Sequence, residues 1–299
     1  MSNIRIWYNK NRVTIWTAIL IIVILITLIQ TLDKHYEEKP KENNNISTTY
    51  NKTDTYSVIT KKEINKKTAK ESVDLIDRFI GYCNNKQFEQ AYNLLSTNCK
   101  EEFYPTIEEF KIKYYNKIFT EKKSYNSMLW IASSIGNTYR VEIMRDLLAT
   151  GEKDEMPIED YYTIIIENEQ YKLNISRYIS KENINVTKEQ EDIIVTVVSK
   201  IQHMDYEKYK INIQNNTGAN LVFNKKEKTN SIYIQDENDV KYTAFLNEIT
   251  DSQLNVPSGA SKTLEIKFNR GYKPTIEIEK ILFEDIYSNE KTKIIEIEI

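Results

Sequence analysis

FIGYCNNKQFEQAYNLLSTNCKEEFYPTIEEFKIKYYNKIF, residues 79–119, is the stretch on which the fold turns. Its apolar residues recur at helical spacing and are broken by turn-forming pairs. Working back from it, Val73, Ile76, Ile80 and Cys83 lie on one helical face with Phe79 beside them. Thr68-x-x-Glu71 reads as the capping box that opens this first helix. Asn84-Asn85 ends it. Phe88, Ala91, Tyr92 and Leu95 make a second, shorter helix. Thr106-x-x-Glu109, after Pro105, opens a third with Ile107, Phe110, Tyr114 and Ile118 on its apolar stripe.

Working forward, the period changes from helical to alternating. Residues 127–133, Tyr139/Val141/Ile143, 162–166 and Tyr171/Leu173/Ile175 read as strands, with a turn at 167–170. Helices followed by an antiparallel sheet predict an α+β domain over residues 67–182. The helix pair ending in AYNLLS (91–96) and the YPT…F…YY helix (104–115) resemble the NTF2-like domain of exported Gram-positive proteins, over about residues 69–180. That resemblance implies a curved sheet wrapped by helices around a conical cavity. It is a resemblance of fold, since this architecture hosts enzymes, ligand binders and inert scaffolds alike.

A second domain is expected over residues 188–299. IIVTVVSKI (193–201), Tyr209/Ile211/Ile213, 221–223, 232–234, 242–246, Leu264/Ile266/Phe268, 276–286 and Ile295/Ile297/Ile299 are about eight short strands. Asn215-Asn216-Thr217-Gly218, Pro257-Ser258-Gly259 and Ser288-Asn289-Glu290 punctuate them as turns. Strands at this spacing predict an antiparallel β-sandwich. The run YKINIQNNTGANLVF, with its later P-x-G before an alternating strand, resembles the Ig-like domains of exported Gram-positive proteins. Such domains serve as adhesion, spacer or docking modules.

At the N-terminus, residues 13–32 carry no charge and are long enough, at about 30 Å as a helix, to span a bilayer. Arg5, Lys10 and Arg12 precede this run, which by the positive-inside rule makes residues 1–12 cytoplasmic. The expectation is a single-pass cell-membrane protein, in contact with lipid through residues 13–32, whose later domains are extracellular. Residues 33–66 have no period and read as a flexible linker. The sequons at Asn45 and Asn51 are what chance gives in an Asn-rich chain.

Composition narrows the chemistry. The 299 residues carry 41 basic and 44 acidic side chains, a net charge of −3, which gives no electrostatic case for nucleic acid. Two His and two Cys exclude zinc ribbons and disulfide-rich scaffolds, and six Gly argue against Gly-rich phosphate loops. Asp74, Asp77, Tyr92, Tyr161 and Tyr162 are the acids and hydroxyls nearest the implied cavity. Asp77 reads as a solvated helix residue. His35 falls in the linker and His203 outside the first domain, so no general base is placed with an acid. Cys83 and Cys99 sit at opposite ends of the second helix, about 15 Å apart against the 7 Å a disulfide tolerates. Free thiols are favoured, with the bond left open. Asp236, Glu237 and Asp239 lack the Gly and spacing of an EF-hand and read as a hairpin turn.

No catalytic, cofactor or metal residue is therefore assigned. The order anchor, linker, NTF2-like domain resembles accessory components of Gram-positive conjugation and secretion machines and envelope proteins of cell-wall synthesis. It implies a non-enzymatic envelope scaffold that binds a protein partner, with homo-oligomerisation open. The alternative is a small-ligand binder or sensor using the cavity.

Overall fold

The computed structural model describes residues 54–151, 156–224, 230–289 and 291–299. Helix α1 (Lys66–Asn84) opens two residues before the expected cap. Asn65, not Thr68, is the N-cap, its side chain accepting from the Thr68 amide at 2.7 Å. Asn caps at least as well as Thr, so the earlier residue takes the role. The expected second helix is α2 (Phe88–Asn93), and a further, unexpected helix, α3 (Thr97–Phe103), follows it, capped by Ser96 on the Cys99 amide. Thr106 caps the third stretch as its sequence predicts, accepting from the Glu109 amide at 3.2 Å. That stretch runs from Ile107 to Ile118 with a π turn over Lys111–Tyr115, which brings both Tyr114 and Tyr115 inward.

These helices cover one face of an antiparallel meander, β1 (Lys123–Ala132), β2 (Asn137–Arg145), β3 (Ile158–Glu167) and β4 (Gln170–Asn174). Asn168 and Glu169 both take positive φ, the tight hairpin geometry expected at 167–170. Both edges of this sheet are covered. The amides of Val58 and Ile59 donate to the carbonyls of Leu129 and Trp130 on β1, and Ser96 and Leu94 bond Leu173 on β4. Residues 55–64, read as linker, thus belong to the folded body. A few edge hydrogen bonds hold them, and these leave no period in a sequence.

The second module has two packed sheets. One has the order β12 (Ser261–Phe268), β7 (Glu207–Asn215), β6 (Ile193–His203), β5 (Tyr178–Gln190). In the other, β13 (Ile278–Ser288) pairs β14 (Lys291–Glu298) on one side. On its other side it pairs β8 (Leu221–Phe223) and β9 (Ile232–Asp236), which β11 (Asn255–Val256) and β10 (Lys241–Thr243) extend. Alternate residues of β6, β7, β12 and β14 fill the core between the sheets.

Strand β6 serves two cores. Ile193, Val195 and Val197 enter the sandwich, whereas Ile201 enters the core under the helices. All four numbers are odd, so an unbroken strand would send them to one face. The bulge between Val197 and Ser199 reverses the alternation and joins the modules. β5 runs through residues 183–187, between the two expected domains.

Two expectations are overturned. The described residues are mostly antiparallel β-sheet, where an α+β class was expected, because polar segments such as YISKENINVTKEQ pair into long strands. No helix among the described residues is long and apolar enough to cross a membrane. The expected transmembrane run 13–32 lies outside the described residues, as do residues 1–12, His35, Asn45 and Asn51. The single-pass topology and cell-membrane placement rested on apolar length and flanking charge alone. They have no support in the structure and are withdrawn.

Candidate functional site

The space between helices and sheet, where a cavity was expected, is packed with rings. Phe79, Phe110, Tyr114 and Tyr162 meet at centroid separations of 5.7–6.2 Å, joined by Tyr104 and Phe119. Such pairs contribute about 0.5–1.5 kcal/mol each beyond area burial. Tyr162, one of the sequence candidates, is fully buried here. Its hydroxyl lies 2.5 Å from that of Tyr114. Burial, the largest cause, holds both phenols far above their ordinary range.

Beside this pair lies a carboxylate that sequence reasoning passed over. Asp160 is buried on β3, and every acceptor direction is used. Oδ1 accepts from the amides of Tyr161 (2.7 Å) and Arg177 (3.0 Å); Oδ2 accepts from the Ser176 amide (3.2 Å) and, more weakly, the Tyr114 hydroxyl (3.4 Å). Burial pushes its pKa up to about 6, against the lowering effect of these amides and of Arg177. The only sequence signal was an acid inside the apolar strand IEDYYTIII.

Two of the three amides that Asp160 binds, those of Ser176 and Arg177, belong to the turn between the modules. Ser176 and Arg177 both have positive φ, at 57° and 63°. Non-Gly residues hold that conformation only when neighbours over-determine it. Here they do. The Ser176 side chain meets the Tyr104 hydroxyl at 2.6 Å. The carbonyl of Ser176 accepts from His203 Nε2 at 2.8 Å, and that of Arg177 accepts from the Met204 amide at 2.9 Å. The Arg177 guanidinium lies over the Tyr161 ring and donates to both oxygens of Asp205, at 2.9 and 3.1 Å. Burial pushes His203 down to about 4, outweighing its bond to Ser176. The ring is therefore neutral near pH 7 and donates from Nε2 as a clamp.

Further contacts bind the modules. Ile131, Ile179 and Tyr272 form a small apolar cluster with Trp130 and Met204. The Tyr272 hydroxyl donates to Ser133 at 3.1 Å, and Lys208 pairs with Glu102 at 2.7 Å. Gly271 passes so close to the Met204 carbonyl that a Cβ would lie 2.8 Å from it.

The other candidates scatter. Asp74 is exposed and paired with Lys70; Asp77 is exposed and accepts from Tyr125. Tyr92 donates to the Tyr104 carbonyl, and Tyr161 is buried against Trp130 and under the Arg177 guanidinium, apart from Tyr162. Cys83 and Cys99 are free and buried, and burial pushes both thiols up, Cys99 to about 12. Asp236 organises its hairpin through the amides of Asn238 and Val240 and the Tyr242 hydroxyl. Among the described residues no cluster of three or more His, Cys, Asp or Glu is arranged to hold a metal ion.

No protein-family model and no curated protein matches the chain. Among solved structures it is similar to a conserved hypothetical protein from Bacillus anthracis, over 40% of this chain and 96% of that one. Identity is 14% and the TM-score 0.26, too low to carry an argument about fold or function.

Proposed function

We propose that this protein works without catalysing a reaction, as a rigid two-module scaffold that presents its surface to a protein partner. The first module is read as NTF2-like and the second as an Ig-like sandwich. One observation carries the proposal: Asp160, the buried acid best placed for chemistry, spends both oxygens on the turn that joins the modules. A general base needs a free lone pair within reach of a substrate proton. Asp160 has none to offer: the interior beside it is filled by the rings of Phe79, Tyr114 and Tyr162, and the outer hollow of about 310 Å³ that borders it, between Lys113, Lys117 and Arg177, meets a carboxylate whose oxygens are already engaged. A small-ligand sensor in that interior has the same difficulty.

Two measurements test the reading. Because the native thiols are buried, spin labels attach selectively to new cysteines at exposed Lys67 and exposed Ser261. A scaffold gives a single narrow distance distribution between them; a broad one overturns the rigid joint. Crosslinking of the full chain in its host, read by mass spectrometry, should recover one recurrent protein attached to residues of either module. Recovery of the chain alone overturns the partner reading.

A further inference from the structure

We infer that the open side of the sandwich is a docking groove for a basic, partly apolar segment of a partner protein, an inference that rests on the scaffold reading. Two hollows form the groove. One, of about 430 Å³, lies between β5, the segment before β13 and the β1–β2 turn. The other, of about 420 Å³, lies between the β9–β10 turn and the paired ends of β13 and β14. They share Glu277, Ile278 and Ile299, so the two run together. Each alone has the size of a small-ligand site, and joined they suit a short length of chain.

The first hollow supplies the apolar part. Among the described residues β5 pairs with β6 alone, and the sandwich core beside its other edge is not fully covered. Ile184, Val186 and Ile299 pack against that core yet stay half-exposed. Ile135, from the β1–β2 turn, lines the same hollow and is exposed. A partner's apolar side chains gain by taking this surface out of water. The backbone of β5 offers less. A bulge between Asn183 and Val186 interrupts its pairing with β6 and puts Asn185 at a φ of 55°. Bulges of this kind blunt a sheet edge against flat strand addition, so side chains make the contacts.

The charges choose the partner. In the first hollow, Lys200 pairs with Glu182 at 3.0 Å, and buried Arg270 pairs with Glu207. In the second, Lys280 pairs with Glu296 at 3.1 Å. Glu237, Glu277, Glu279 and Glu298 remain, all exposed and without an ion pair among the described residues. Against these four carboxylates the described lining residues set one further cation, Lys273, which is turned to the Tyr242 ring and hydroxyl. The excess negative charge attracts cationic groups and repels acidic chains. A small free cation satisfies the carboxylates but leaves the isoleucines in water. A segment carrying both Lys or Arg and apolar residues satisfies both.

The probes are a peptide of alternating lysine and leucine with blocked ends, its counterpart with glutamate for lysine, and spermine. Each is titrated into the ¹⁵N-labelled full chain at low and at physiological salt. The basic peptide should saturate with a submillimolar Kd at low salt and shift amides of residues 182–186 and 277–280 together. Its affinity should fall as salt rises. Spermine should shift residues 277–280 alone, and the acidic peptide neither region. Glu277→Gln combined with Glu279→Gln should weaken the basic peptide about fivefold, the loss of two exposed charge contacts. Ile135→Ser should weaken it severalfold, and both variants should keep the amide dispersion of the wild type. No saturable shift, equal binding by the acidic peptide, spermine binding as tightly and over both regions, or unchanged affinity in both variants would each overturn the proposal. Crosslinking in the host judges the scaffold reading separately. A partner attached only to residues away from this groove would uphold that reading and overturn this inference.

Discussion

Asp160→Asn tests whether the inter-module turn depends on one buried carboxylate. The wild-type side chain accepts from three backbone amides and a tyrosine hydroxyl. Asn retains one oxygen and turns an NH₂ group toward donors that then have no acceptor. With its oxygen kept on the Tyr161 and Arg177 amides, the orphaned donors are the Ser176 amide and the Tyr114 hydroxyl, at about 1–3 kcal/mol each, offset by relief of carboxylate burial. The net loss expected is about 2–3 kcal/mol at pH 5. The pH dependence separates the two effects. The pKa of Asp160 is raised by burial from 3.8 to about 6, so the folded state binds more protons than the unfolded state between those values. Its contribution to stability is therefore greatest below pH 3.8, falls as pH rises toward 6, and is flat above. A shift of two units corresponds to about 3 kcal/mol. Asn removes this slope, so the difference between wild type and variant should narrow as pH rises from 4.5 to 7.5. Urea unfolding of both proteins across that range measures it, with other carboxylates cancelling in the difference. A variant as stable as wild type, with the same pH slope, would refute the assignment of Asp160 as the acceptor that holds the turn.

Two further outcomes follow from packing. Gly136→Ala places a Cβ 2.3 Å from the Ile164 carbonyl, so the β1–β2 turn must move off β3; a loss of about 1–3 kcal/mol is expected in thermal unfolding. Cys83 and Cys99, buried and with thiol pKa values pushed up, should resist a thiol reagent in the native protein at pH 8 and react together once denaturant unfolds it. Rapid native labelling of either would contradict their burial.

Much of the architecture could be read locally. Thr106 caps where the sequence puts a cap, and Asn168-Glu169 turns where the sequence puts a turn. The strands of the sandwich fall close to the alternating runs that announce them, because each buries one face and the period records it. β5 was missed for the converse reason. An edge strand among the described residues, it buries only Tyr178 and Ile179 fully, and its sequence carries no sustained apolar alternation.

The candidate site was hardly legible. Tyr162 was singled out, but Asp160, Tyr114, Ser176 and Arg177 were not, being far apart in sequence and ordinary in type. The chain by itself determined the helical spacing of residues 66–118, the alternating strands, the turn residues and the scarcity of metal-binding side chains. Tertiary structure alone decided that a bulge in β6 sends Ile201 into a different core from Val197. It also decided that Ser176 and Arg177 take positive φ and that Arg270 lies buried against Glu207. The physical reason is the range of the interactions. Capping, periodicity and turn chemistry act within a few residues and are written into the local sequence. Burial of charge and the saturation of hydrogen bonds depend on groups that meet only when the sheets pack.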